Sequence, residues 1–253
     1  MYKACGTRRA TQCRQCSYMY QGDALQVVRS GLIGGKGIPE GVASHPVVFA
    51  TFTAPSFGVV HHRPVKRHVC RRRSACQCRP DPCRARSDRT LCEHGRPTSC
   101  HERHSAGDKR IGQPLCIDCY DHEHQVIWNF FSGELWRRTK QAIDRHLKGV
   151  CRARGIPMVE LIGGSGKVRK VDPVRVAHGK VAEMQARGAV HFHTLLRLEG
   201  VDPEDVSTPA PPPAGITVED LDEASTAAAM RRDSNRVGRE ELAHESWLTG
   251  RAA

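Results

Sequence analysis

Twelve cysteines, most of them crowded between residues 61 and 124 among histidines and arginines, constrain this chain more than any other feature of its sequence. Hydrophobic residues make up 39% and aromatic residues 5% of the chain, so the apolar core is modest and metal is expected to help hold it together. Disulfides are the rival agent, but they persist only in oxidising compartments. The segment from Met1 to Tyr20 carries cysteines and arginines and lacks the apolar run of a secretory signal. Nor does any stretch approach the roughly 20 apolar residues of a membrane span. The sequence therefore predicts a cytoplasmic protein with reduced thiols, and thiolates near histidines in such a chain read as metal ligands.

The spacing of those thiols suggests zinc. Cys116-Ile117-Asp118-Cys119 is a CxxC knuckle, with Cys83, Cys92, His94, Cys100 and His104 upstream. A tetrahedral zinc takes four N or S donors. The favoured set is Cys92, Cys100, Cys116 and Cys119, with His94 or His104 as competing donors. A second CxxC, Cys13 and Cys16, pairs with Cys5 and one further ligand from elsewhere. A redox dithiol is the alternative for each CxxC, but no βαβ pattern surrounds either one. Cys70, Cys76, Cys78 and Cys151 read as simple thiols. Residues 61–124 show little apolar periodicity and are expected to form a metal-held insertion.

Charge narrows the partners. Lys and Arg total 39 against 27 Asp and Glu, a formal excess of +12, which favours an anionic partner, for a soluble chain usually nucleic acid. Arginines crowd the insertion. A solvated face is the ordinary reading of such a run. Beside a metal-ordered module, Arg71, Arg72, Arg73, Arg84 and Arg86 are candidates for phosphate contacts, which supply affinity without reading sequence.

Around the insertion, regular elements are legible. Leu25, Val28 and Leu32 fall at helical spacing between Asp23 and Ile33. Val47-Val48-Phe49-Ala50-Thr51-Phe52-Thr53 predicts a mostly buried strand closed by Pro55. Leu135, Thr139, Ala142, Ile143, His146 and Leu147 line one stripe of a helix over 134–150. A short strand is expected over 171–176, a helix or extended partner over 180–186, and a second strong strand over 189–198. Residues 207–215 read as a proline-rich linker before a charged tail, so a resistant core should end near Pro203. Gly163-Gly164-Ser165-Gly166-Lys167-Val168 is no phosphate loop, because GxxxxGK[ST] needs Gly at Leu161 and Ser or Thr at Val168; it reads as a loop between strands.

Val190-His191-Phe192-His193-Thr194-Leu195-Leu196 is the sharpest local motif. Residues two apart in a strand share a face, so His191 and His193 present their imidazoles side by side while Phe192 points into the opposite layer. Two imidazoles and a carboxylate make an open metal site, and Glu183, across the Arg187-Gly188 turn, can fold back as the third ligand. A pair of half-buried structural histidines is the alternative.

The stretch Glu183-Met184-Gln185-Ala186-Arg187-Gly188-Ala189-Val190-His191-Phe192-His193 resembles the histidine motif of HUH endonucleases, particularly replication initiators of actinobacterial plasmids and integrative elements. Phe49-Ala50-Thr51-Phe52-Thr53-Ala54-Pro55-Ser56-Phe57-Gly58 and Gly112-Gln113-Pro114-Leu115-Cys116-Ile117-Asp118-Cys119-Tyr120-Asp121 resemble the same initiators, over about residues 5–224. The resemblance implies a rolling-circle mechanism. Mg2+ or Mn2+ on His191, His193 and Glu183 polarises the scissile phosphate, and a tyrosine attacks it to leave a 5′-phosphotyrosine and a free 3′-hydroxyl. In that family the tyrosine follows the histidine motif; here Tyr2, Tyr18, Tyr20 and Tyr120 all precede it. The expectation is therefore a truncated copy without its nucleophile, with Tyr120 a poor substitute beside Cys119. Implied partners are origin DNA, single-stranded or supercoiled, and host replication proteins. The alternatives are a non-catalytic zinc-dependent DNA-binding protein and a truncated gene remnant.

Together these readings predict an α+β fold: an antiparallel sheet with the His191–His193 strand at its centre, helices behind it, and zinc-bound modules at the amino end and in the insertion. The expected division is a cysteine-containing module over 1–30, an initiator domain over 31–205 with its insertion at 61–124, and a linker and divergent tail over 206–253.

Overall fold

A computed structural model describes residues 5–65, 80–88, 90–163 and 166–230. In chain order the elements are α1 (Arg14–Ile33), a short 3-10 turn at Glu40–Ser44, β1 (Val47–Phe52) and α2 (His122–Ala153). There follow β2 (Val159–Ile162), β3 (Val168–Val171), β4 (Val174–Met184), β5 (Val190–Val201), β6 (Pro209–Ala210) and α3 (Val218–Met230). The fold is α+β with antiparallel sheets. β5 is central in the larger one, flanked by β1 and β4, and β6 pairs with its last residues Gly200 and Val201. β2 and β3 form a separate hairpin, closed by turn bonds from Gly163 N–H to Lys167 O and from Gly166 N–H to Gly163 O.

Alternation along β5 decides which side of the sheet is buried. Phe192, Leu196 and Leu198 point inward with Ala50 and Phe52 of β1 and Val174 and Val176 of β4. α2 lies across this face, because Trp136, Ile143, Leu147 and Cys151 recur at helical spacing on one stripe. The Asp121 carboxylate starts that helix by accepting the His124 N–H at 3.0 Å. The helix begins twelve residues before the expected 134, and Trp128, in the added stretch, donates its indole N–H to Val190 O at 2.9 Å.

The described chain after the prolines, as far as Met230, packs into the core, which corrects the expected end near Pro203. α3 buries Leu221, Ala224 and Ala229 in the main cluster. Its first turn is set by Asp220, which accepts the Thr217 N–H at 2.8 Å and a two-point ion pair from Arg154 at the end of α2. Apolar residues spaced along 221–229 need a partner surface, and the end of α2 beside the sheet supplies it. The expected boundary at residue 30 likewise falls inside α1, and the one at 124 inside α2. The segment 180–186 is strand as far as Met184, continuous with the expected strand over 171–176 except at Asp172 and Pro173.

The outer face of the sheet is divided. Near its β1–β4 ends, Arg197 is buried against Glu199 and donates to Gly31 O of α1; Glu199 also receives Arg175 at 2.8 Å. Toward the β4–β5 turn the same face is open.

Candidate metal centre

The open end of that face gathers Glu183, His191 and His193. In the β4–β5 ladder Glu183 stands opposite His191, and Val181 stands opposite His193, so one strand supplies both imidazoles and its neighbour the carboxylate. The turn between them is tight: Gln185 N–H donates to Ala189 O and Gly188 N–H to Gln185 O, with Gly188 at φ 79°. Glu183 Oε2 lies 3.3 Å from His191 Nε2 and 3.2 Å from His193 Nε2. Hydrogen bonds from His191 and then His193 hold the Glu183 carboxyl below the usual carboxylate range. Cis donors around an octahedral ion with bonds of about 2.1 Å are roughly 3.0 Å apart, so the two distances from Glu183 suit such an ion, and all three ligand atoms lie within 4.8 Å of one another.

A surrounding shell orients His193. Its Nδ1 lies 3.1 Å from Thr51 Oγ1 on β1, the residue opposite it in register, and its ring stacks on Phe49 with centroids 5.8 Å apart. When an ion takes the place of the Nε2 proton that bonds Glu183, an Nδ1 proton donated to Thr51 keeps the Nε2 lone pair turned toward that ion. The sequence places Thr51 and Phe49 only in the strand over 47–53; their position beside His193 follows from strand pairing. The turn itself is anchored from α2, where Asn129 donates to Gly188 O at 2.9 Å and accepts the Val190 N–H at 2.9 Å. Gln125 donates to Arg187 O at 2.6 Å, and Arg187 donates to Ala54 O and Pro55 O.

The insertion brings its cysteines and histidines into two four-residue groups, and these differ from the favoured set. Cys92, Cys116 and Cys119 converge with His94, whereas Cys100 lies with His61, Cys83 and His104. Cys100 is carried away because its backbone pairs with Arg84, next to Cys83. His61 and Cys83 were not assigned to zinc by spacing; they lie 22 residues apart and meet only through folding. At Cys92, desolvation is outweighed by hydrogen bonds from the backbone of Arg96 and His94 and from two thiols, which bring it down to about 7. Cys119 is pushed up to about 12, by desolvation and then by Cys116 and Cys92. Cys5, Cys13 and Cys16 form a third group of three sulfurs at the start of α1. Of the expected phosphate-binding arginines, Arg84 and Arg86 are exposed, Arg86 being paired with Asp88 at 2.9 Å. Arg71, Arg72 and Arg73, like Cys70, Cys76 and Cys78, lie outside the described residues.

Tyr120 is buried in a small cluster with Ala54, Phe57, Trp128 and Ala189, and burial raises its pKa. Tyr18 and Tyr20 are exposed on α1. No helix among the described residues is long and apolar enough to cross a membrane.

An open two-histidine, one-carboxylate centre on an antiparallel sheet, in a strongly basic chain, is the setting in which comparison with known proteins gives the family. A model of the RepSA family, described as replication initiator protein, pSAM2, matches residues 1–248, and the chain belongs to that family. The match takes in the tail after Ala224, where divergence was expected. A curated replication initiator protein from Streptomyces ambofaciens is 37% identical over 228 residues. That alignment covers 89% of this chain and 40% of the relative, so the chain spans about two fifths of the relative's length. No solved structure matches the chain.

Proposed function

We propose that this chain carries the metal centre and DNA-engaging surface of an HUH-type replication initiator, the class that opens rolling-circle replication by nicking one strand at an origin. The observation that carries this reading is the convergence of Glu183, His191 and His193 on the open face of β4 and β5, in a chain of a replication initiator family. Mg2+ or Mn2+ held there supplies Lewis-acid polarisation of a scissile phosphate. The two Nε2 atoms and the Glu183 carboxylate present the donors. Thr51 keeps the His193 ring turned toward them, and α2 holds the turn through Asn129 and Gln125. The +12 charge supplies attraction for the DNA backbone.

A second reading, binding without cutting by the residues described, is favoured by the burial of Tyr120. Titration of the full chain with Mn2+, followed by electron paramagnetic resonance, tests the metal centre. Binding should occur at or below millimolar concentrations and be lost in His193→Ala with the circular dichroism unchanged; no binding at millimolar Mn2+ would end the nickase reading. Supercoiled plasmid bearing the origin then separates the alternatives. Open circles linked to protein mean nicking by an upstream tyrosine, and retained binding without open circles supports the second reading.

A further inference from the structure

The segment between Pro80 and Asp121 contains almost no apolar core. Its buried hydrophobic side chains, among the described residues, are Cys83, Cys116 and Tyr120. What converges there instead is donors: His61, Cys83, Cys100 and His104 in one group, and Cys92, His94, Cys116 and Cys119 in the other, the second group being the more exposed. In the first group Cys83 and His104 are buried, and burying such groups without a partner is costly, so their convergence calls for a ligand; in the second only Cys116 is buried, and the case rests on the convergence of four donors.

The geometry identifies that ligand's class. With bonds of about 2.05 Å to nitrogen and 2.3 Å to sulfur, a tetrahedral ion sets its ligands about 3.3 Å (N to N) and 3.6 Å (N to S) apart. In the first group His61 Nδ1 and His104 Nε2 are 3.2 Å apart, Cys100 Sγ and His104 Nε2 3.6 Å, and Cys83 Sγ and His61 Nδ1 3.8 Å. In the second, His94 Nδ1 and Cys119 Sγ are 3.2 Å apart. Outer partners fit as well. Asp108 Oδ2 lies 2.7 Å from His104 Nδ1, which places the proton there and leaves Nε2 to point at the centre. The His62 N–H donates to Cys83 Sγ at 3.2 Å, a contact suited to a thiolate.

The order of the ligands along the chain is the decisive observation. His61 and Cys83 serve the first group, Cys92 and His94 the second, Cys100 and His104 the first again, and Cys116 and Cys119 the second again. Each group therefore closes a loop that contains ligands of the other. We propose that the chain binds two zinc-class ions in these interleaved tetrahedral sites, one with two thiolates and one with three, and that together they cross-brace the insertion in place of a hydrophobic core. This inference is independent of the Glu183–His191–His193 reading.

Cadmium-113 NMR of the full chain, loaded with 113Cd2+, tests it. A background with Cys5, Cys13 and Cys16 changed to Ser and His193 changed to Ala removes the third sulfur group and the Glu183–His191–His193 centre from the count. The expected result is two bound ions per chain and two resonances, one in the two-thiolate and one in the three-thiolate range. Cys119→Ser should remove the three-thiolate resonance and shift the other, because the sites share loops. One ion with a four-thiolate resonance would replace the proposal by a single site of Cys92, Cys100, Cys116 and Cys119. No ion, or two ions that respond independently to Cys119→Ser, would respectively overturn the sites or their interleaving. Should the variant not fold, the number and class of resonances in the background chain decide alone.

Discussion

His193 depends on a hydroxyl that no motif points to. Thr51 lies opposite it on β1, 3.1 Å from Nδ1, where its hydroxyl can accept the Nδ1 proton in a hydrogen bond and leave Nε2 for a ligand. Thr51→Val keeps the β-branched shape and removes the acceptor, so the Mn2+ dissociation constant should rise about tenfold. The melting temperature should stay close to that of the parent, and Thr51→Ser should restore affinity. Equal losses of melting temperature and affinity would make Thr51 merely structural. The histidine pair and Glu183 were legible from the sequence because a two-residue period and a short turn are local properties. Thr51 was not, since its register with His193 spans 142 residues.

Elements rather than single residues hold the centre in place. The turn joining β4 and β5 is gripped from α2 by Gln125 and Asn129, and the insertion seats against it at Gly112. Gly112 has φ 88°, and a Cβ there would overlap the Ala186 carbonyl. Gly112→Ala should therefore cost about 2–4 kcal/mol, read as a lowered urea midpoint; an unchanged midpoint would mean that the insertion does not bear on the turn. The α2–α3 junction makes a different prediction. The Arg154 guanidinium, and then the Thr217 N–H against burial, holds the buried Asp220 carboxyl below the usual range. A group with a depressed folded pKa contributes stability above its unfolded value, about 4, and loses it as pH falls through the folded one. Asp220→Asn should thus be less stable by about 2–3 kcal/mol at neutral pH. The gap should close below about pH 4; a constant gap in acid unfolding curves would show that the ion pair is not its source.

At the scale of the whole molecule there are two ways of filling an interior. The sheet, α2 and α3 share one apolar core centred on Phe192, Leu196, Leu198, Ile143 and Leu221. The insertion has donors where that core has side chains. Leu221 is fully buried, and Leu221→Ala should cost about 2–5 kcal/mol. Limited proteolysis of the full chain should leave a core that reaches through α3 rather than one ending near Pro203; a fragment that ends at Pro203 and survives would place α3 outside the cooperative unit.

By itself the sequence determined the strands β1 and β5, the lower part of α2, the shared face of His191 and His193, and the basic, thiol-rich character of the insertion. These follow from periodicity and composition, which act over a few residues. Only the tertiary structure decided that Cys100 joins Cys83 rather than Cys116, that Thr51 faces His193 Nδ1, and that α3 is core. Each depends on segments distant along the chain returning to one place. That return is governed by the burial and pairing of whole elements, and local spacing carries no record of it.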